Sequence, residues 1–511
     1  MSISLSQEQE LLISMVLVLL LSLYLYFRSS SRSHNPSVLP TNWPIMHMLP
    51  RVIANLHNAH DYFAAILTEA GHNFRVHIPQ RHIFLTCDPA NVQHIFTKNH
   101  ANFPKGEEFA AIFDIMDGGI FTVDGEHWRR QRAKFQSVLS SPGLLSSMAA
   151  CCRDKVENGL LPLFTRLANT HTPFDMQEMI SRFMFDLAAM PLFGVDPGLL
   201  SSDMPSMEVA VAMDMVMEVG FFRHIMPASC WKAMRRLNIG HERKLDAAHK
   251  VIRRFFMELI ERKRIDGGCV CNNGEQERAD VLSSYINDPD YADDAFLRAT
   301  LISLMLGGRD TIGTTLPWIF YSLAQNPNIV SIIRNELSHI ASHKVAMSTS
   351  GMVIFEPEET KTLVYLKAAL YETLRLYPSA PIERKTVVVD DIMPSGHEVT
   401  AGDTILISLH SMARMEGVWG KDCRDYNPHR WLSEDGTKMR HVPSHKFLSF
   451  NSGPRMCPGK DIAVVQMKTV VAAVVWNFDI ELVEGQSIQP KLSCTLQMKN
   501  GLTMMLKKRE I

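Results

Sequence analysis

No stretch of the 511-residue chain is rich enough in glycine, serine or proline to act as a flexible linker, which argues against modules on tethers and for one large globular body. Neither charge sign is in surplus: 52 Lys and Arg stand against 54 Asp and Glu, a formal net charge of -2. The basic residues form no block, so nothing points to a nucleic-acid partner or a polybasic lipid anchor. A disulfide framework is missing too. The nine cysteines (Cys87, Cys151, Cys152, Cys230, Cys269, Cys271, Cys423, Cys457 and Cys494) are odd in number and mostly isolated, a pattern that fits a reducing compartment. No internal repeat divides the chain.

What is present begins at the amino terminus. Leu11 to Phe27 is an apolar run of seventeen residues diluted only by Ser and Tyr, long enough to span a membrane. Glu8 and Glu10 precede it and Arg28 and Arg32 follow it, so the charge bias places the body of the chain in the cytosol. The acidic residues before the run, and the lack of a small-x-small site after it, argue for an uncleaved signal anchor rather than a cleaved signal peptide. Residues 1–28 are therefore expected to be a transmembrane anchor and 29–50, punctuated by Pro36, Pro40, Pro44 and Pro50, a stiff tether. The catalytic body is expected over 51–511.

Within that body, Phe74 to Ile78 and His82 to Thr86 read as two strands separated by Pro79. From about Gln131 to Glu372 the period is helical, with breaks at Ser141-Pro142-Gly143, Pro197-Gly198, the polar stretch Asp266 to Ala279, and Asn326-Pro327. Strand character returns at Thr386 to Val389 and Thr404 to Leu409, and a last helix starts near Asp461.

The most informative stretch is Phe450-Asn451-Ser452-Gly453-Pro454-Arg455-Met456-Cys457-Pro458-Gly459, which sets one cysteine in a stiff loop just ahead of a helix. Gly453 and Gly459 allow close approach or positive φ, and the two prolines rigidify the loop. The helix amides and dipole that follow favour negative charge on the sulfur. The pattern Phe-x-x-Gly-x-Arg-x-Cys-x-Gly, with Phe450, Gly453, Arg455, Cys457 and Gly459 in place, resembles the haem-binding signature of the cytochromes P-450. That resemblance implies haem b with Cys457 as the axial thiolate ligand, an arrangement that pushes electron density to iron and favours cleavage of dioxygen. It implies the family's mainly α fold with a smaller β region, here behind one amino-terminal transmembrane helix.

Other segments fit the same family. Glu372-Thr373-Leu374-Arg375 resembles its Glu-x-x-Arg element, and Arg430, in Tyr426-Asn427-Pro428-His429-Arg430, fits the third member of that structural triad, although His429 stands where Glu is more frequent. Gly307-Gly308-Arg309-Asp310-Thr311 lies in an apolar helix, where each glycine costs about 1 kcal/mol against alanine. The missing side chains leave room for a small ligand, and a Thr311 bond to a backbone carbonyl can open a groove. By resemblance Asp310 and Thr311 are the catalytic acid and alcohol that move protons during oxygen activation, with Gly307 where the family more often carries Ala. Trp128 and Arg132 resemble the Trp-x-x-x-Arg pair that holds a haem propionate, Arg455 is expected to meet a propionate, and Arg384 is expected to hold one as well.

The likeness runs over essentially the whole chain and is greatest to the plant branch of fatty-acid ω-hydroxylases and alkane hydroxylases, through Thr41-Asn42-Trp43-Pro44, Asn102-Phe103-Pro104-Lys105-Gly106, Leu192-Phe193-Gly194-Val195-Asp196-Pro197 and Lys446-Phe447-Leu448. It implies an enzyme of the endoplasmic reticulum membrane that takes electrons from NADPH-cytochrome P-450 reductase and acts on an apolar or phenolic small molecule. The reaction it favours is intramolecular para-para' carbon-carbon coupling of the phenol rings of a norbelladine-type alkaloid precursor. Hydroxylation of alkanes or fatty acids is the alternative, and a non-redox haem-thiolate isomerase or lyase a second; the intact Asp310 and Thr311 argue against the latter.

Overall fold

Pro79 does end a strand. In the computed structural model, which describes residues 38–44, 46–79, 81–201, 203–266, 280–345 and 351–510, β1 (Asn73–Ile78) turns into β2 (Arg81–Thr86) and the two pair antiparallel. The amino-terminal anchor Leu11 to Phe27 and nearly all of the polar stretch up to Ala279 lie outside the described residues. No helix among the described residues is long and apolar enough to cross a membrane. The described part of the proline segment is docked: Val38, Leu39, Met46 and Met48 pack on the core beneath the first sheet.

Further strands are β3 (Phe174–Asp175), β4 (Ile382–Thr386), β5 (Asp391–Ile392), β6 (Glu398–Val399), β7 (Thr404–Ser408), β8 (Phe478–Leu482) and β9 (Thr503–Lys508). The first sheet has the order β1-β2-β7-β4, with β7 parallel to β2 and antiparallel to β4. A parallel neighbour requires a crossover, and here the crossover is most of the helical body. Strands β3, β9 and β8 form a second sheet, and β5 and β6 a hairpin. The strand expected at Thr386 to Val389 lies instead at Ile382–Thr386, whereas Val388 and Val389 are exposed and bond to the loop at Asn102. β-branched composition drew the expectation to the valines, but the ladder partner β7 sets the real position, as tertiary context commonly does. Register has a consequence for the site. Arg384 pairs with Leu406 and Lys385 with Ile405, so these two neighbouring cations point to opposite faces of the sheet.

The helices that carry the site are α1 (Gly125–Leu139), α2 (Met176–Phe193), α3 (Glu208–Ile225), α4 (Gly240–Asp266), α5 (Asp294–Met305), α6 (Thr311–Gln325), α7 (Val364–Leu376) and α8 (Lys460–Asn477). Asp293 caps α5 by accepting the Phe296 amide at 2.9 Å, and a π turn over Leu306–Asp310 joins α5 to α6. Helices α2, α6, α7 and α8 are apolar around most of their circumference, the sequence mark of a helix with no solvent face. Phe183, Ile319, Leu366 and Val471, one from each, are fully buried in one cluster. Ile319→Ala should cost about 2–5 kcal/mol, because close-packed helices cannot collapse into the void. The check is the urea midpoint followed by circular dichroism, with the slope of the transition unchanged.

Candidate functional site

The cysteine loop is built by backbone constraints that side chains reinforce. Gly453 has φ +65°, and a Cβ there would lie 1.9 Å from the carbonyl oxygen of Phe96, so only glycine fits. Gly459, by contrast, has φ -90° and serves as the N-cap of α8. The Cys457 amide donates to the Phe450 carbonyl at 2.8 Å and the Met456 amide to the Gly453 carbonyl at 3.1 Å, closing the loop on itself. Burial pushes the Cys457 thiol above its ordinary value, while the Gly459 amide bonded to it, Arg132 and Lys460 pull it down. A half-buried free sulfur at the mouth of a helix is a ligand in waiting: metal coordination removes its proton outright.

Behind the loop, the Glu-x-x-Arg pair is fully buried. Arg375 donates Nε and Nη2 to the two carboxylate oxygens of Glu372, each at 2.8 Å. Arg430 Nε, the Asn427 amide and Trp431 Nε1 each donate to the same carboxylate at 2.9 Å. Arg375 Nη1 reaches the carbonyls of Ala413 (2.5 Å) and Cys423 (2.7 Å). Glu372, Arg375 and Arg430 thus meet as the sequence suggested, and His429, the departure in that segment, packs its ring at 5.4 Å from Tyr365 without joining the carboxylate. Trp431 packs on Phe447 at 4.6 Å, and Phe447 on Phe450 at 6.2 Å, which carries the clamp to the cysteine loop.

The π turn between α5 and α6 opens a notch. The Thr311 hydroxyl donates to the Gly307 carbonyl at 2.8 Å, and Gly307 is exposed although Met305, Leu306 and Ile312 around it are buried. A Cβ on Gly307 would meet nothing within 4 Å, so an alanine would fit there as well, whereas one on Gly308 would touch Ala188 at 3.7 Å. Asp310 is not bonded to Thr311. Its Oδ1 accepts from Arg309 at 2.8 Å, its Oδ2 is buried with no partner, and burial raises its carboxyl well above the ordinary range against the pull of Arg309.

Cations ring the remaining flank. Trp128 and Arg132 lie one turn apart on α1; the Arg455 guanidinium stacks over the Trp128 ring at 4.6 Å and donates to Asp124 (2.5 Å) and the Val123 carbonyl (2.8 Å). Arg132 donates Nη2 to the Met456 carbonyl at 2.5 Å, while its buried Nε has no partner. Arg384 is elsewhere. It sits on the far face of β4, donating to Glu108, to Thr404 at 3.0 Å and to His224 at 3.4 Å.

Two lysines that the sequence reading passed over lie on this flank. Lys385 lines a cavity of about 150 Å³ with Trp128, Asp124 and Arg455, and Lys105 donates to the Phe121 carbonyl at 2.8 Å. Burial pulls their amines down to about 8 and about 7 respectively. A signal existed: Lys105 lies in the Asn-Phe-Pro-Lys-Gly run, and counting alternation along β4 from either face separates Lys385 from Arg384.

These features fit a flat dianionic cofactor with a thiolate ligand. A free sulfur, four cationic side chains (Arg132, Arg455, Lys105, Lys385), an unpartnered guanidinium Nε and a glycine notch are all present. The chain belongs to the cytochrome P450 family, which it matches over residues 36–507. It is thus an enzyme of the monooxygenase class, which binds haem through a cysteine thiolate. Among its relatives are noroxomaritidine synthase of Narcissus aff. pseudonarcissus MK-2014, 36% identical with 94% of each chain covered, and alkane hydroxylase MAH1 of Arabidopsis thaliana, 34% identical with 92% of this chain and 93% of the relative covered. Cytochrome P450 86B1 of Arabidopsis thaliana is 35% identical over 92% of this chain and 86% of its own length.

Gly453→Ala should lose the thiolate-type spectrum of the reduced carbonyl adduct, because the added methyl meets the Phe96 carbonyl and the left-handed φ is strained as well. Gly459→Ala, at negative φ with only Ile462 at 3.9 Å, should keep it.

Proposed function

We propose that this enzyme joins two phenol rings of a norbelladine-type precursor by an intramolecular para-para' carbon-carbon bond. The observation that carries this reading is the 36% identity to noroxomaritidine synthase over 94% of both chains. The reaction removes two electrons and two protons from two hydroxyls; with two electrons from NADPH, dioxygen leaves as two waters. Bound haem supplies the oxidising chemistry. The chain's own residues would hold it: Cys457 would ligate the iron, with Phe450, Gly453 and Gly459 shaping the loop. Arg132, Trp128, Arg455, Lys105 and Lys385 would hold the propionates, and the buried Glu372, Arg375 and Arg430 clamp keeps the loop in register. Asp310 and Thr311 deliver protons at the notch. Arg384 is left to the sheet, because it lies on the face of β4 opposite Lys385 and beside Glu108.

A second reading, hydroxylation of alkanes or fatty acids, is favoured by the 34% identity to alkane hydroxylase MAH1. It uses the same proton supply, and only the substrate bonds differ. For either reaction we place the chain at the endoplasmic reticulum surface, anchored by Leu11 to Phe27, with a cytosolic body served by NADPH-cytochrome P-450 reductase.

Incubation with reductase, NADPH and both substrate types decides between the two. Coupled biaryl product is expected, and product from alkyl chains alone overturns the coupling reading. Turnover without NADPH would point instead to an isomerase or lyase. Cys457→Ala should lose both the thiolate-type carbonyl spectrum and all activity, whereas Thr311→Ala should keep haem and divert reduced oxygen away from product.

The lysines give a pH dependence. Anionic propionates favour charged amines, so haem uptake by the apoprotein should weaken as pH rises through about 7 to 8, where the buried Lys105 and Lys385 amines lose their protons. Lys385→Arg, charged throughout, should flatten that profile in a haem titration followed by absorbance, whereas Arg384→Lys should leave it unchanged.

A further inference from the structure

The rings that tie the clamp to the cysteine loop are also a file of oxidisable groups. Phe450, whose carbonyl receives the Cys457 amide, lies 6.2 Å from Tyr371, centre to centre, and Tyr371 lies 5.4 Å from Trp431. Phe447 closes the set, at 4.6 Å from Trp431, 5.2 Å from Tyr371 and 6.2 Å from Phe450. Each of these separations is a ring contact. Phenylalanine holds its electrons too tightly to give one up, whereas indole and phenol release one far more easily.

Trp431 is placed to lose one. It is 1% exposed, and its indole N–H donates to Glu372 Oε2 at 2.9 Å. An indole that loses an electron becomes a cation and a stronger N–H acid, so a carboxylate bonded at that N–H stabilises it. The surrounding charges balance, Arg375 and Arg430 against Glu372 and Asp422. From Trp431 the vacancy has two ways onward. Trp419 is 5.6 Å away, but the Arg375 guanidinium lies 5.2 Å from the Trp419 ring, and a second cation there is repelled. Tyr371 instead sheds its phenolic proton and becomes a neutral radical. It keeps 9% of its surface exposed, and Asp461, exposed at the start of α8, acts on its phenol.

We propose that Trp431 and Tyr371 form an electron relay that discharges oxidising equivalents stranded at the haem site when no substrate is there to take them. One electron moves inward from Trp431, and Trp431 is refilled by Tyr371, whose proton leaves past Asp461 to solvent. The tyrosyl radical then takes a hydrogen atom from a cellular thiol. Two such passes deliver two electrons, which with two solvent protons release the stranded oxygen as water, and the two thiyl radicals join as a disulfide. The relay requires only the monooxygenase class, so it stands or falls separately from the choice between coupling and hydroxylation.

The test mixes substrate-free ferric holoenzyme with an aryl peracid, which supplies the oxidising equivalent without reductase, and freezes it for electron paramagnetic resonance. A protein radical is expected whose signal narrows when the protein carries ring-deuterated tyrosine. In Tyr371→Phe that component is lost and a signal that narrows with ring-deuterated tryptophan replaces it; in Trp431→Phe both are lost. In either variant the haem absorbance survives fewer peracid additions than in the parent. Trp419→Phe keeps the signal, as does Trp476→Phe, whose ring lies apart from the file against Phe355 and Arg509. Every variant is first checked for its thiolate-type carbonyl spectrum. Trp431→Phe removes a bond to Glu372, so if it fails to hold haem, Tyr371→Phe, whose side chain makes no bond of the clamp, decides alone. No protein radical in the parent, a tyrosyl component that persists in Tyr371→Phe, an undiminished signal in Trp431→Phe, or loss of the signal in Trp419→Phe overturns the proposal.

Discussion

One carboxylate, buried to the last oxygen, ties together the parts that position the sulfur. Glu372 accepts five donors, from Arg375, Arg430, Trp431 and the Asn427 amide, and those donors belong to two parts of the chain more than fifty residues apart. Removing such a group from water is costly, and a buried ion pair is weak evidence for stability as such. Its value lies in register. With every oxygen bonded, the segment around Trp431 has one position against α7, and the ring contacts through Phe447 pass that position to Phe450 and the loop of Cys457. A sulfur that must meet a metal along one direction needs that determinacy more than it needs binding energy.

The opposing helix solves the converse problem, making room where packing would otherwise leave none. Helices α5 and α6 form one long apolar rod whose ladder slips by one residue at Leu306–Asp310. π turns of this kind are rare and gather at functional sites. Two glycines and the Thr311 bond to the Gly307 carbonyl keep the notch open, and the same slip leaves Asp310 turned toward Arg309 rather than Thr311. The acid and the alcohol are neighbours in sequence with different surroundings, one buried in an ionic cluster and the other beside an open notch.

Relatives at 34% and 36% identity carry names that belong to different reactions, an alkane hydroxylase and a noroxomaritidine synthase. The elements described above, a thiolate loop, a buried clamp and a notched helix, serve any reaction of the class. They generate and guard an oxidant without selecting what it meets.

The local features of the site were legible in the sequence because each is made by residues close together in the chain. The loop of Cys457, the Glu372 and Arg375 turn of α7 and the paired strands about Pro79 follow from short-range rules of φ, helical spacing and proline. What the tertiary structure decided is what required a distant partner. Whether β4 began at Ile382 or at Thr386 depended on β7, and with it which of Arg384 and Lys385 faced Trp128. That Gly453 must be glycine depended on the Phe96 carbonyl, and the placing of Arg309 beside Asp310 depended on Asp214 and Ser181 from two other helices. Backbone propensity is a local quantity, whereas the face a side chain presents and the charge it feels are set by groups that only folding brings near.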